Sequence, residues 1–221
     1  MSIAMPGSTP RTRVRRLPDK AVQTRSALHA VLDAGLVAHV AVGGTGAEGG
    51  QPFVVPVAYA RDGDRVLFHG STGSRLFRSL ADGALTCLTV TLLDGMVLAR
   101  SVFESSMHYR SAMVLGACSP VRGPAKRVAL ERITDHLLPG RWAEARHPSS
   151  KEMAATLVLA LGIDEASVKI SEGPPDDPAD DVALPVWAGT VPLRERFGRP
   201  VAAPDLAYDL PVPDYVLRWR R

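Results

Sequence analysis

The stretch that most constrains this chain is 66–75, VLFHGSTGSR. An apolar run, Val66-Leu67-Phe68, ends at His69 and gives way to a loop of Gly, Ser and Thr that closes on Arg75. Leu76, Phe77 and Leu80 then recur at helical spacing. A strand, a small polar loop and a short helix in that order can build an anion site. Gly70 and Gly73 let backbone approach a ligand, and Ser71, Thr72 and Ser74 offer hydroxyls. Arg75 offers a planar fork that matches a phosphate with two hydrogen bonds. The same residues also suit a plain surface turn followed by a capped helix.

A chain of 221 residues, 46% hydrophobic and 22% charged, fits one large domain with a sizeable core. Aromatics are only 5%, so aliphatic residues must fill that core. The net charge of +3 gathers at the ends, in Arg11, Arg13, Arg15 and Arg16 and in Arg218, Arg220 and Arg221. A nucleic-acid protein would carry a basic face within its fold, so no nucleic-acid partner is expected. Cys87 and Cys118 sit in apolar runs without a CxxC or His partner, which argues against zinc or any other metal and for reduced thiols in the cytoplasm. No apolar run reaches the length of a membrane span, and the first residues lack the apolar region of a secretory signal.

Along the chain, 1–18 reads as a flexible arm rich in Pro, Ser and Arg. Asp19 is placed to cap a helix over 19–34 that Gly35 ends. Strands follow at 36–42, 51–60 and 66–69, with a Gly-rich hairpin loop at 43–50. Residues 85–94 alternate apolar with Thr, a half-buried strand that Gly95 breaks. The 104–111 segment is polar, and 112–121 is a strand again. Helices are predicted over 125–138 and 151–162, a short strand over 166–171, and a solvated Pro/Asp loop over 173–185. Several consecutive strands with few helices predict a mainly β (α+β) antiparallel barrel with peripheral helices, spanning 19–195 and followed by a Pro/Arg-rich extension over 196–221.

The segments 52–75, 94–116, PGRW at 139–142, SVKIS at 167–171 and WAGTVPL at 187–193 run in an order that resembles the pyridoxamine 5′-phosphate oxidase-like flavoproteins, whose fold is an FMN-binding split β-barrel. Within that family the chain looks most similar to the branch that holds the nitroimidazole-resistance proteins. The resemblance implies a homodimer with FMN at the subunit interface. It places the isoalloxazine along Val54, Val55, Pro56 and Val57, where Pro56 has no N–H to give. It puts His69, Gly70, Ser71, Ser74 and Arg75 on the phosphate side, and Tyr109, Arg110, Ser111 and Trp187 near the flavin across the dimer. The oxidases proper often carry Gln where this chain has Ser111, and Lys where it has Leu76, which weakens the case for pyridoxamine phosphate as substrate.

The activity expected from this resemblance is an FMN-dependent oxidoreductase passing electrons from a nicotinamide-type donor to a small acceptor, with the flavin supplying the redox chemistry. His69 is the candidate proton-transfer group, since an imidazole titrates near neutrality. Two rivals stand beside it: a flavin-binding or storage protein without turnover, and a split barrel that binds haem or a deazaflavin. Steady-state flavin reduction by NADH or NADPH separates the enzyme from the first, and the colour of the purified protein decides the second.

Overall fold

The computed structural model describes residues 4–43 and 50–220, so most of the hairpin loop expected at 43–50 lies outside the described residues. The described residues form eight antiparallel strands: β1 (Val37–Val42), β2 (Phe53–Asp62), β3 (Arg65–Ser71), β4 (Leu85–Leu98), β5 (Ser106–Pro120), β6 (Thr156–Gly162), β7 (Ala166–Ser171) and β8 (Gly189–Pro192). Their order is β7-β5-β6-β3-β2-β1-β4-β8, and β4 also pairs with β5. Six strands therefore close a ring, with β7 and β8 outside it. The mainly β split barrel with few helices read from the sequence is the observed fold.

The barrel core holds Val40, Tyr59, Val66, Phe68, Leu88, Val90, Val114, Leu159 and Leu161. Helix α1 (Arg25–Ala34) lays Leu28, Val31 and Leu32 against it, each at most 1% exposed. Burying such side chains contributes about 1.5–3 kcal/mol apiece. Gly35 follows α1 because a Cβ there would stand 2.4 Å from Val90 and 2.6 Å from the Tyr59 hydroxyl. Outside the ring, helix α3 (Gly123–Leu137) packs Ala129, Leu130 and Ile133 over Leu67 and Val158 in a second cluster.

The expected helix over 151–162 is not what forms. A capping box between Ser149 and Glu152 starts the short helix α5 (Ser150–Ala155), and the chain then enters β6. Strand β6 pairs with β3 on one side and β5 on the other. Leu159 and Leu161 face the barrel core while Val158 and Ala160 face α3. A strand buried on both faces reads as an unbroken apolar run, which periodicity cannot separate from a helix.

Three further expectations shift. The first helix starts at Arg25, capped by Thr24 rather than Asp19, because Ala21 bridges to Lys169 and the Val22 N–H donates to the Val168 carbonyl on the edge of β7. Strand β4 runs straight through Gly95, which lies at a bulge and lets β8 approach: a Cβ there would meet the Val191 carbonyl at 2.8 Å. The Pro/Asp loop is not wholly solvated. The Asp177 side chain is 3% exposed, accepts the Arg100 backbone N–H at 2.6 Å and pairs with the Arg100 guanidinium at 2.8 Å.

The N-terminal arm lies along β7, where the Gly7 N–H donates to the Ala166 carbonyl and the Arg11 guanidinium meets Glu165. Burial pushes the Cys118 thiol up to about 12, and the half-buried Cys87 thiol is raised by the same cause. Both thiols are therefore unreactive at neutral pH.

Candidate functional site

The split in the barrel follows from register. Strand β3 pairs with β2 only over Tyr59–Phe68 to Asp62–Arg65. Beyond that, His69, Gly70 and Ser71 pair with β6 alone, and Phe53 to Val57 pair with β1 alone. The first half of β2 thus has a free backbone edge facing the end of β3. His69 occupies the first rung past the last β2–β3 pair.

Helix α2 (Arg75–Ala81) closes one end of this split. Its Phe77 packs edge-on against Phe68 at 5.8 Å, and it does so over Gly70, where a Cβ would stand 2.4 Å from the Phe77 ring. Arg75 lies over the Phe53 ring at 5.1 Å. The Ser74 hydroxyl accepts the Phe77 N–H and caps the helix, and the Ser71 hydroxyl accepts the Gly73 N–H at 3.1 Å. Each of these hydroxyls accepts from backbone and keeps its own O–H to donate. Thr72 does not, since its hydroxyl is donated to the Ala155 carbonyl.

Pairing also fixes which side chains share a face. Ala38 and Val40 are buried in the barrel, so Val37, His39 and Ala41 point outward. Their partners bring Val54 and Pro56 of β2, Cys87 and Thr89 of β4, and through β4 Ser111 and Met113 of β5 onto the same side. Thr91, Leu93 and Tyr109 extend it. Among these residues no side chain is an acid, Lys or Arg. In a chain that is 22% charged, a four-strand face without one requires a cover.

The residues singled out in the sequence divide over this frame. Pro56, His69, Tyr109 and Ser111 are on the outer face or its margin. Val55 and Val57 alternate with Pro56 and turn to the barrel side, with Val57 packed on the core. Arg110 is on the opposite face from Ser111 and is bound at both nitrogens to Asp94, at 2.7 and 2.9 Å. Trp187 is 67% exposed and folds back over Gly189. Gly116, on the rung that carries Thr86, Val42 and Phe53, is five residues from Ser111. That places Ser111 roughly 17 Å along the strands from the Arg75 end. One chain therefore does not bring Arg75 and Ser111 to the same part of a ligand.

Of the histidines, His136 bonds the Gly35 carbonyl at 2.7 Å, His147 bonds Arg127 and the Trp142 carbonyl, and His29 stands 3.6 Å from Asp64. His39, His69 and His108 make no hydrogen bond among the described residues. Desolvation pushes the His69 imidazole below its ordinary value, although the residue is exposed. It is therefore neutral at pH 7, with both ring nitrogens available. The outer face and His39 were the features that sequence reasoning missed. Strict alternation in β1 was their signal, and only the ladder shows that the faces of four strands coincide. Among the described residues no group of three or more His, Cys, Asp or Glu side chains could hold a metal ion, and no helix is long and apolar enough to cross a membrane.

A family model described as pyridoxamine 5′-phosphate oxidase matches residues 24–170. The chain is similar to the structure of the FAD and heme binding protein from Mycobacterium smegmatis, with 46% identity, a TM-score of 0.84, and coverage of 90% of this chain and 96% of that one. It is also similar to the flavocytochrome Anf3 from Azotobacter vinelandii, with 39% identity, a TM-score of 0.88 and coverage of 96% and 97%. Likeness to a 5-nitroimidazole antibiotic resistance protein from Bacteroides thetaiotaomicron is lower, at 21% identity and a TM-score of 0.54 over 68% of this chain and 86% of that one. The expected kinship with the nitroimidazole branch is thus replaced by similarity to proteins that carry both a flavin and haem in their names. No curated protein sequence matches the chain.

Proposed function

The chain belongs to the pyridoxamine 5′-phosphate oxidase family, and from that premise we propose that it is a flavin- and haem-binding redox protein acting as a homodimer. The observation that carries the proposal is the uncharged outer face, bordered by the split and by a neutral, unbonded imidazole at His69. A flavin needs a flat apolar wall, a free backbone edge for its polar rim and a phosphate anchor. Those are the outer face, the first half of β2, and Arg75 with the Ser71 and Ser74 hydroxyls. A haem needs one neutral imidazole beside an apolar face. His69 meets that description and is the residue that would hold the haem iron.

When bound, the flavin supplies two-electron and the haem one-electron chemistry. The chain's own residues bind, orient and shield. Arg75 and the two serines would hold phosphate, β2 backbone groups would meet the ring edge, and the apolar strands would keep water from the face. Tyr109 and Ser111, too distant from Arg75 in one chain, serve the flavin held by a second copy. The family resemblance predicts FMN, and one phosphate-side loop suits it. FAD is the first reading, because both similar structures at 39–46% identity are named for FAD and heme or as a flavocytochrome. Mass analysis of cofactor released by heat tests this: FAD is expected, and FMN alone would restore the sequence expectation.

Two expected results follow from this arrangement. Arg75→Ala removes a bidentate charge-assisted contact of about 1.5–3 kcal/mol. Equilibrium titration should show phosphate-bearing flavin weakened roughly ten- to a hundredfold, with riboflavin almost unaffected. Equal loss for both ligands would mean that Arg75 only holds Phe53 and the fold. In light scattering the protein should have twice the 23.6 kDa chain mass. A monomer with a full complement of flavin would remove the role given to Tyr109 and Ser111.

A further inference from the structure

At the far end of the barrel from the Arg75 loop lies a second concavity, a cavity of about 680 Å³. Its floor is the end of α1, Leu92 and Leu93 of β4 and the His136 end of α3, and its outer wall is the C-terminal segment. The six residues of β1, roughly 20 Å, separate it from the phosphate-side loop. The size is that of a small-molecule site.

The acids on the wall are already engaged. Asp33 is paired with Arg61 at 2.7 Å, Asp94 with Arg110, and Glu195 also has a partner. Arg194 and Arg196 line the same wall and make no ion pair or hydrogen bond among the described residues. Two aromatic rings, Phe197 and Trp219, also line the cavity, with centroids 5.6 Å apart. Trp219 is fixed because its indole N–H donates to the Pro139 carbonyl at 3.0 Å. The segment is further anchored where the Arg141 guanidinium donates to the Tyr215 hydroxyl at 3.3 Å and the same hydroxyl donates to Glu144. Fixed aromatic faces beside unpaired guanidinium groups recognise a flat ring that carries negative charge.

We propose that this cavity binds a nucleotide-type ligand, with its planar base against Phe197 and Trp219 and its phosphate on Arg194 and Arg196. The cavity touches the outer face only at Leu93, and the four residues assigned to the ligand stand outside that face. The test is calorimetric titration of the protein, purified with its own cofactors, using AMP, adenosine and inorganic phosphate as probes. AMP should bind at least tenfold more tightly than either fragment. The double variant Arg194→Ala/Arg196→Ala should weaken AMP at least tenfold and leave adenosine unchanged. Phe197→Ala should weaken both AMP and adenosine. Absence of AMP binding would overturn the proposal, as would AMP affinity that neither variant moves. Loss of the bound flavin in either variant would also overturn it, since the cavity would then be part of the cofactor's own site.

Discussion

Gly70→Val should lower stability by about 3 kcal/mol, because overpacking and loss of a docked aromatic both act at one point. In a domain of this size that corresponds to a fall in Tm of about 6–12 °C. The Phe77 ring lies where the first added carbon would go, at 2.4 Å, and it is itself 5% exposed against Phe68. It cannot move aside without lifting α2 from the barrel. Since α2 carries Arg75, flavin affinity should fall with stability. Gly73→Ala is the matched control in the same loop: its Cβ would meet only the Ser71 hydroxyl, at 3.5 Å, an ordinary contact. Thermal melts of the two variants decide the matter. Equal Tm values would show that β3 and α2 are not held by this close approach.

His69→Ala should abolish the Soret band while the flavin bands and Tm remain, because the imidazole makes no hydrogen bond that the fold would lose. Haem affinity should fall on the order of tenfold or more, at least about 1.4 kcal/mol, and added imidazole should restore the band. His39→Ala and His108→Ala should keep it. The pH dependence follows from the direction of the His69 shift. Its pKa is lowered by desolvation, so the ring is neutral and able to ligate at pH 7. Haem affinity should be undiminished there and weaken progressively as pH falls below that lowered value, itself under the ordinary ~6.5. If the band persists in His69→Ala while turnover falls and its pH profile flattens, His69 moves a proton rather than holding iron.

The strand-loop-helix at 66–75 and the alternation through 85–94 were legible because each has one face toward the core and one away, or a change of period at a polar loop. Residues 156–162 were not, because β6 has no polar face to reveal its period. Gly95 was misleading for a related reason: glycine marks a break in isolation, but here it admits a neighbouring strand that lies nearly a hundred residues further on. Asp177 read as solvent-facing among other acids, and only the end of β4 brings Arg100 to it. The residues proposed for the phosphate side could be named from the sequence because they are contiguous. The outer face was not, because its members are spread over four strands and share nothing but their side of the ladder. A haem held by one histidine would leave no spacing for a motif to record, and the proposal of one rests on the names of the similar structures.

On the proposed function, flavin and haem bind this chain together. The most direct measurement is the absorption spectrum of the purified protein, reconstituted with haemin and FAD if needed, with haem quantified as its pyridine complex and flavin by release. A Soret band and flavin bands are expected from one gel-filtration peak, both near one equivalent per chain. A yellow protein that takes up no haem would contradict the proposal, returning the chain to the flavin-only reading.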